Sequence, residues 1–237
     1  MGQYFNGIVL HNDWKTTKKP IRAALSPYDF DNGAKLMEHS YVRNNYVGAF
    51  LYLIDLLDDS EGVPCVWGGD YADTIGTDGM PFIERLNDAG RIETDGGFHA
   101  HYAANEWMGE DKKSKDYLDV LDMVKESKLH HYSYIINRTK KQYVEVPKNV
   151  NGQWIIHPLP ILLADSNGRG LGDYEDEYCT NPEEKDVSLK KYEKKHNAQF
   201  VGTWAYDSIS VTNCKGDTEG YTRIDWAIEN EFFNDCL

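Results

Sequence analysis

The sequence contains no C-x-x-C pair. Its 4 cysteines, Cys65, Cys179, Cys214 and Cys236, stand far apart, which excludes a zinc-knuckle spacing and gives no basis for a disulfide framework. Free thiols in a reducing cytoplasm are the expectation. Long apolar runs are also missing. The longest, Ala49–Leu57 and Ile155–Ala164, are interrupted by Asp55 and by His157 with two prolines, and a membrane helix needs about 20 residues. The opening MGQYFNGIVLHND lacks a basic start followed by an apolar segment, so no secretory signal is expected. Asn6 occupies the position where myristoylation of Gly2 would call for Ser or Thr. No G-x-S-x-G and no recognised cysteine-nucleophile signature occurs. Positive charge is scarce: 25 Lys and Arg face 39 Asp and Glu, a formal net charge of −14. That balance disfavours direct nucleic-acid binding, which draws on cations neutralising phosphates. It leaves solubility, a basic partner, or mimicry of a polyanion.

What the chain does have is apolar and aromatic material. Its 237 residues are 41% hydrophobic, with 16 Tyr, 6 Trp and 8 Phe, enough to bury a core. Tyr4–Leu10, Ala34–Glu38, Val63–Trp67, Tyr132–Asn137, Gln142–Val146, Phe200–Trp204 and Ser208–Thr212 have strand character. Asn44 or Asn45 can cap a helix with Val47, Phe50, Leu51 and Ile54 on one face; its end at Asp58–Asp59 opposes the dipole. Ser114 can cap another, with Tyr117, Leu118, Leu121 and Val124 on one face. A short helix is expected from Pro81 to Gly90, and a turn at Asn151-Gly152. Phe98–Ala103 is either a strand or a helix start, and Tyr221–Phe233 is ambiguous. The expected fold is α+β: an antiparallel sheet meander with two or three packed amphipathic helices. One domain, 1–237, would carry a charged surface insertion at about 166–197.

Several clusters could carry chemistry. The glycine-rich loop after Ala164 places Asp165, Asn167, Arg169, Gly170, Asp173 and Asp176 partly on a calcium-loop template, but Arg169 replaces a ligand oxygen. Gly168, Gly170 and Gly172 do not match a phosphate loop, and the acids that follow would repel phosphate. His99-x-His101 with Glu106 is the best metal-like spacing, since residues two apart on a strand share a face. His11-x-Asp13 repeats the geometry without a third ligand. Trp67 and Trp204 each precede an Asp by three residues, as W-G-G-D and W-A-Y-D. Two strands ending alike would frame a shallow surface formed by Trp67, Asp70, Tyr71 and Asp73, then Asn167, Arg169 and Asp173, then Trp204 and Asp207. Asp at such positions more often satisfies backbone N–H groups, and buried indoles more often pack a core.

MGQYF, KLMEHS at Lys35–Ser40, WGGDYAD at Trp67–Asp73, IINRTKKQYV at Ile135–Val144, HPLPILL at His157–Leu163, NGRGLGDY at Asn167–Tyr174 and GTWAYDSISV at Gly202–Val211 form one set. Together they resemble an uncharacterised family of small proteins encoded in bacterial and phage genomes. Leu171 interrupts a glycine run that is denser in the family pattern, and the acidic segment Tyr174–Lys195 is longer. The resemblance implies a phage or mobile-element origin and supplies no catalytic residue. The expectation is therefore a non-catalytic cytoplasmic accessory protein that binds a host protein or a small ligand, without a cofactor and away from membranes. A metal-dependent hydrolase using His99, His101 and Glu106, or an acidic nucleic-acid mimic acting on a host defence protein, are the alternatives.

Overall fold

In a computed structural model, the structure describes residues 3–72, 98–109, 112–125, 131–148, 155–165 and 200–226. The fold is α+β, with helices packed on a mostly antiparallel sheet. Strands β1 (Phe5–Leu10), β2 (Ile21–Leu25) and β3 (Val63–Gly69) form one part; β4 (Tyr134–Asn137), β5 (Gln142–Glu145) and β7 (Ser208–Thr212) form the other. The order is β2-β1-β3-β7-β4-β5-β8, where β8 is Thr222–Arg223 and pairs in parallel with β5. The two-residue β6 (Ala164–Asp165) lies parallel to the end of β3. Among the described residues no helix is long and apolar enough to cross a membrane.

Every residue of β1 and β3 is buried, so neither strand shows the apolar–polar alternation of a one-faced sheet. The pairing explains why. Gly7 lies opposite Trp67, and Asn6 opposite Gly68, so by the pleat the first pair faces one side and the second the other. Helix α2 (Asn45–Leu57) covers the first side: Phe50 meets Trp67 edge-on with ring centroids 4.9 Å apart. Helix α3 (Ala100–Met108) covers the second, where the amide of Asn6 donates to Asn105 at 2.9 Å. Helix α4 (Lys115–Lys125) packs against α2, α3 and β2. Its core face is Tyr117, Val120, Leu121 and Val124, while Leu118 is exposed.

Glycines make these close approaches possible. A Cβ on Gly7 would stand 2.8 Å from Phe50 and 3.1 Å from Trp67. One on Gly69 would stand 2.9 Å from the carbonyl oxygen of Asp165. The W-G-G-D phrase thus serves packing between β3, β6 and α3.

Local signals explain the helix ends. The Asn44 side chain accepts from the N–H groups of Tyr46 and Val47 at 2.9 and 3.1 Å, an N-cap. Past Leu57, the Asp58 carboxylate accepts from Ser60 and Gly62, each at 2.8 Å, and closes the following loop. The Ser114 hydroxyl accepts from Tyr117 at 3.1 Å.

Two expected strands do not form. Leu36–His39 is a short helix, α1, because Glu38 returns its carboxylate to the Lys35 N–H at 3.0 Å and stabilises a helical turn. Phe200–Trp204 lies in successive turns: Thr203 bonds Phe200, Ala205 bonds Gly202 and Asp207 bonds Trp204. Gly202 takes φ 68° there, and a Cβ on it would come within 2.5 Å of the Ala164 oxygen. Phe98–Ala103 resolves as the start of α3. The expected helix from Pro81 to Gly90, the Asn151-Gly152 turn and the insertion at about 166–197 lie outside the described residues.

Candidate functional site

The two tryptophans expected to face a common surface are both core. Trp67 is fully buried and its indole N–H donates to the His39 Nε2 at 2.8 Å. His39 is held neutral, its pKa pushed down to about 4 by burial, while its Nδ1 pairs with the Gly33 carbonyl. Trp204 is also fully buried, and its indole donates to Gln142 at 2.9 Å. Neither indole lines a surface, because β3 is covered on both faces and Trp204 sits in a turn tied to Leu162. Asp70 accepts from the Tyr4 N–H at 2.9 Å, a backbone-satisfying role. Asp207 instead takes the Asn137 amide at 2.8 Å and the Lys140 ammonium at 3.0 Å. Tyr71 is exposed. Asp73, Asn167, Arg169 and Asp173 lie outside the described residues. Of the calcium-like loop only Asp165 is described, and it accepts from the Tyr206 hydroxyl.

The histidine pair is a correction. Ala100 begins α3 and His99 is its N-cap, so the strand geometry that would align the two imidazoles does not arise. His101 turns to the Gly68 carbonyl at 3.1 Å and stacks edge-on against Tyr102. Glu106 is exposed. Burial lowers the pKa of both histidines. Among the described residues no group of three His, Cys, Asp or Glu is placed to hold a metal ion.

Two concavities stand out among the described residues. A broad groove of about 1340 Å³ runs between β2 and helices α3 and α4, past Arg22, Tyr102 and Trp107. Its most buried carboxylate, Asp29, is already engaged by Lys113 and by the Tyr117 hydroxyl at 2.5 Å. The second is a cavity of about 450 Å³, within the roughly 300–1,000 Å³ of small-molecule pockets. It opens between the first turn of α2 and the far end of the β4–β5 hairpin. Val42, Val47, Leu51 and Val146 give it an apolar lining, and Tyr132 and Tyr134 add phenols.

No protein-family model, curated protein or solved structure matches this chain.

The α2–hairpin cavity is assembled by a contact distant in sequence. Val42 N–H bonds the Ile155 carbonyl at 2.8 Å, His157 N–H bonds Ser40 at 3.1 Å, and Tyr41 bridges Ile156. His157 is thereby set beside Val42 and Arg43, where it also caps α5 (Pro158–Leu163). Pro158 and Pro160 lack N–H groups, so two of the helix's four unsatisfied donors never exist. The His157 Nδ1 accepts from a third, Leu159, at 3.2 Å. That bond requires a lone pair on Nδ1 and so places the ring proton on Nε2. His157 is 3% exposed, and burial, followed by the charge of His131, pushes its pKa down to about 3.

At the mouth stand Arg43, Lys148 and His131, with Glu145 the one acid among the described residues of the wall. Glu145 faces Arg223 at 3.5 Å. Arg43 sits in left-handed backbone, φ 71°, a conformation uncommon for any residue but glycine. Among the described residues this wall holds no nucleophile beside a base. A ring titrating near 3 is a poor base at neutral pH, and the Cys65 thiol lies in the core with its pKa raised by burial. The arrangement can bind and orient a molecule. Sequence reasoning placed Val47 and Leu51 on a helix and Tyr132–Val146 in a hairpin, but not their convergence. The H-P-L-P phrase was its one visible signal.

Proposed function

We propose that this chain is a non-catalytic binding protein for a small molecule, held in the cavity between α2 and the β4–β5 hairpin. Together with the family resemblance, this reading makes it a cytoplasmic accessory protein of a phage or mobile element. The observation that carries it is the cavity: about 450 Å³, in which Val42, Val47, Leu51 and Val146 share the lining with polar groups, a size within the roughly 300–1,000 Å³ of ligand pockets. The neutral His157 and the lack of a nucleophile–base pair on the described wall favour binding over turnover.

The test is a small-molecule screen read by methyl NMR. Compounds that bind should shift the methyl signals of Val42, Val47, Leu51 and Val146 and leave those of Ile8 and Val66 in place. A screen of several hundred metabolite-like compounds in which none moves the cavity methyls would end the proposal.

A further inference from the structure

The cavity carries information about the chemistry of its occupant. We infer that it takes an organic anion with an apolar body: a carboxylate or phosphate held at the mouth by Arg43 and Lys148, with a second acceptor oxygen meeting the Nε2–H of His157. This inference rests on the small-molecule reading above and specifies the ligand class.

Three observations converge on it. The first is charge placement. The chain is strongly acidic, at −14, yet the described residues of this wall present Arg43 and Lys148 against one acid that already faces Arg223. Arg43 makes no ion pair among the described residues, and its guanidinium offers a fork suited to two oxygens.

The second is a buried donor. His157 lines the cavity at 3% exposure. Its Nδ1 is committed to Leu159, so the ring offers Nε2–H, for which no described residue supplies an acceptor. That N–H is not among the fully enclosed side-chain atoms, so it is open to the cavity it lines, and a ligand oxygen could accept from it. Because the ring stays neutral, it can only donate from that nitrogen, and so selects acceptors over cations.

The third is the apolar body. Val42, Val47, Leu51 and Val146 provide a lining with no hydrogen-bonding atoms in their side chains. The first turn of α2 also contributes the positive end of its dipole, since Asn44, Val47 and Gly48 line the same wall. A small inorganic anion would leave most of this space unfilled.

The experiment compares 4-phenylbutyrate, its uncharged analogue 4-phenylbutanol and the cation 4-phenylbutylamine, titrated into the whole chain by methyl NMR. The carboxylate should bind at least about tenfold more tightly than the alcohol, as a charge-assisted contact implies, and the amine should not bind. Arg43→Asn suits the test because asparagine tolerates left-handed backbone and removes the charge. It should weaken the carboxylate about tenfold and leave the alcohol unchanged. Ring-nitrogen spectra should assign His157 as the Nε2–H tautomer and show that nitrogen shifting with the carboxylate. Equal binding of acid and alcohol in the cavity would overturn the anion inference while leaving the small-molecule reading intact. Carboxylate affinity unchanged by Arg43→Asn, or an unmoved His157 Nε2, would overturn the assigned contacts. Library hits in the cavity that are all neutral or cationic would likewise refute this inference alone, whereas no cavity hit of any kind would remove both.

Discussion

Acidification should expose the cost of keeping His157 neutral, and one substitution isolates its share. In the unfolded chain the ring titrates near its ordinary 6.5; in the fold burial holds it to about 3. A histidine whose pKa is lowered by folding contributes fully above the unfolded value and loses that contribution as pH falls below it. Between pH 7 and pH 5 the unfolded state takes up the proton and the folded state does not, which costs about 2 kcal/mol. His39, held near 4 by burial, loses about the same over the same window. Two such losses are a large part of a typical stability of about 5–15 kcal/mol. His157→Asn keeps an acceptor for the Leu159 N–H, since asparagine is a good N-cap, and removes the titrating ring. The groups facing it, His131, Arg43, Lys148, Glu145 and the two tyrosines, are the same in both proteins. Urea unfolding of wild type and variant at the two pH values measures the difference. The variant should lose about 2 kcal/mol less than wild type on going from pH 7 to pH 5. Equal losses would refute the claim that the buried ring is held neutral.

Gly7→Ala forces a methyl against Phe50 and Trp67, and should cost about 1–3 kcal/mol in urea unfolding. Asn44→Ala removes the α2 cap and should cost about 1 kcal/mol; because Asn44 lines the cavity, methyl spectra of Val47 and Leu51 should shift as well. Added Zn²⁺ or Mn²⁺ should leave the Tm unchanged, since His99 and His101 do not converge with Glu106; a rise that His99→Ala abolishes would contradict the placement of those rings.

Features set by neighbours in sequence were legible before the fold was. The Asn44 cap and the Val47, Phe50, Leu51, Ile54 face identify α2, the run around Arg138–Lys141 identifies the hairpin, and Ser208–Thr212 forms its strand. Features set by distant contacts were not. Trp67 and Trp204 each stand near glycine and ahead of an aspartate, but what decides their role is burial by α2 on one side and by the α5–β6 segment on the other. The glycines of W-G-G-D suggested a functional turn, whereas Gly68 and Gly69 admit α3 and β6. Ile21–Leu25, which forms β2 at the sheet's edge, is short and follows a basic loop and Pro20, so it carried little period-two signal. The cavity is the extreme case. Its walls come from segments around 42–51, 131–148 and 157; the pairing of 155–157 with 40–42 joins the first to the last, and the Tyr132 hydroxyl, donating to Asp55 at 2.8 Å, ties the hairpin end to α2.

The most direct measurement is intermolecular NOE spectroscopy of 4-phenylbutyrate bound to the methyl-labelled chain. Contacts from the phenyl protons to Val42, Val47, Leu51 and Val146, with none to the groove beside Tyr102 and Val120, are the predicted result. Contacts confined to that groove would show that the ligand site had been assigned to the wrong concavity.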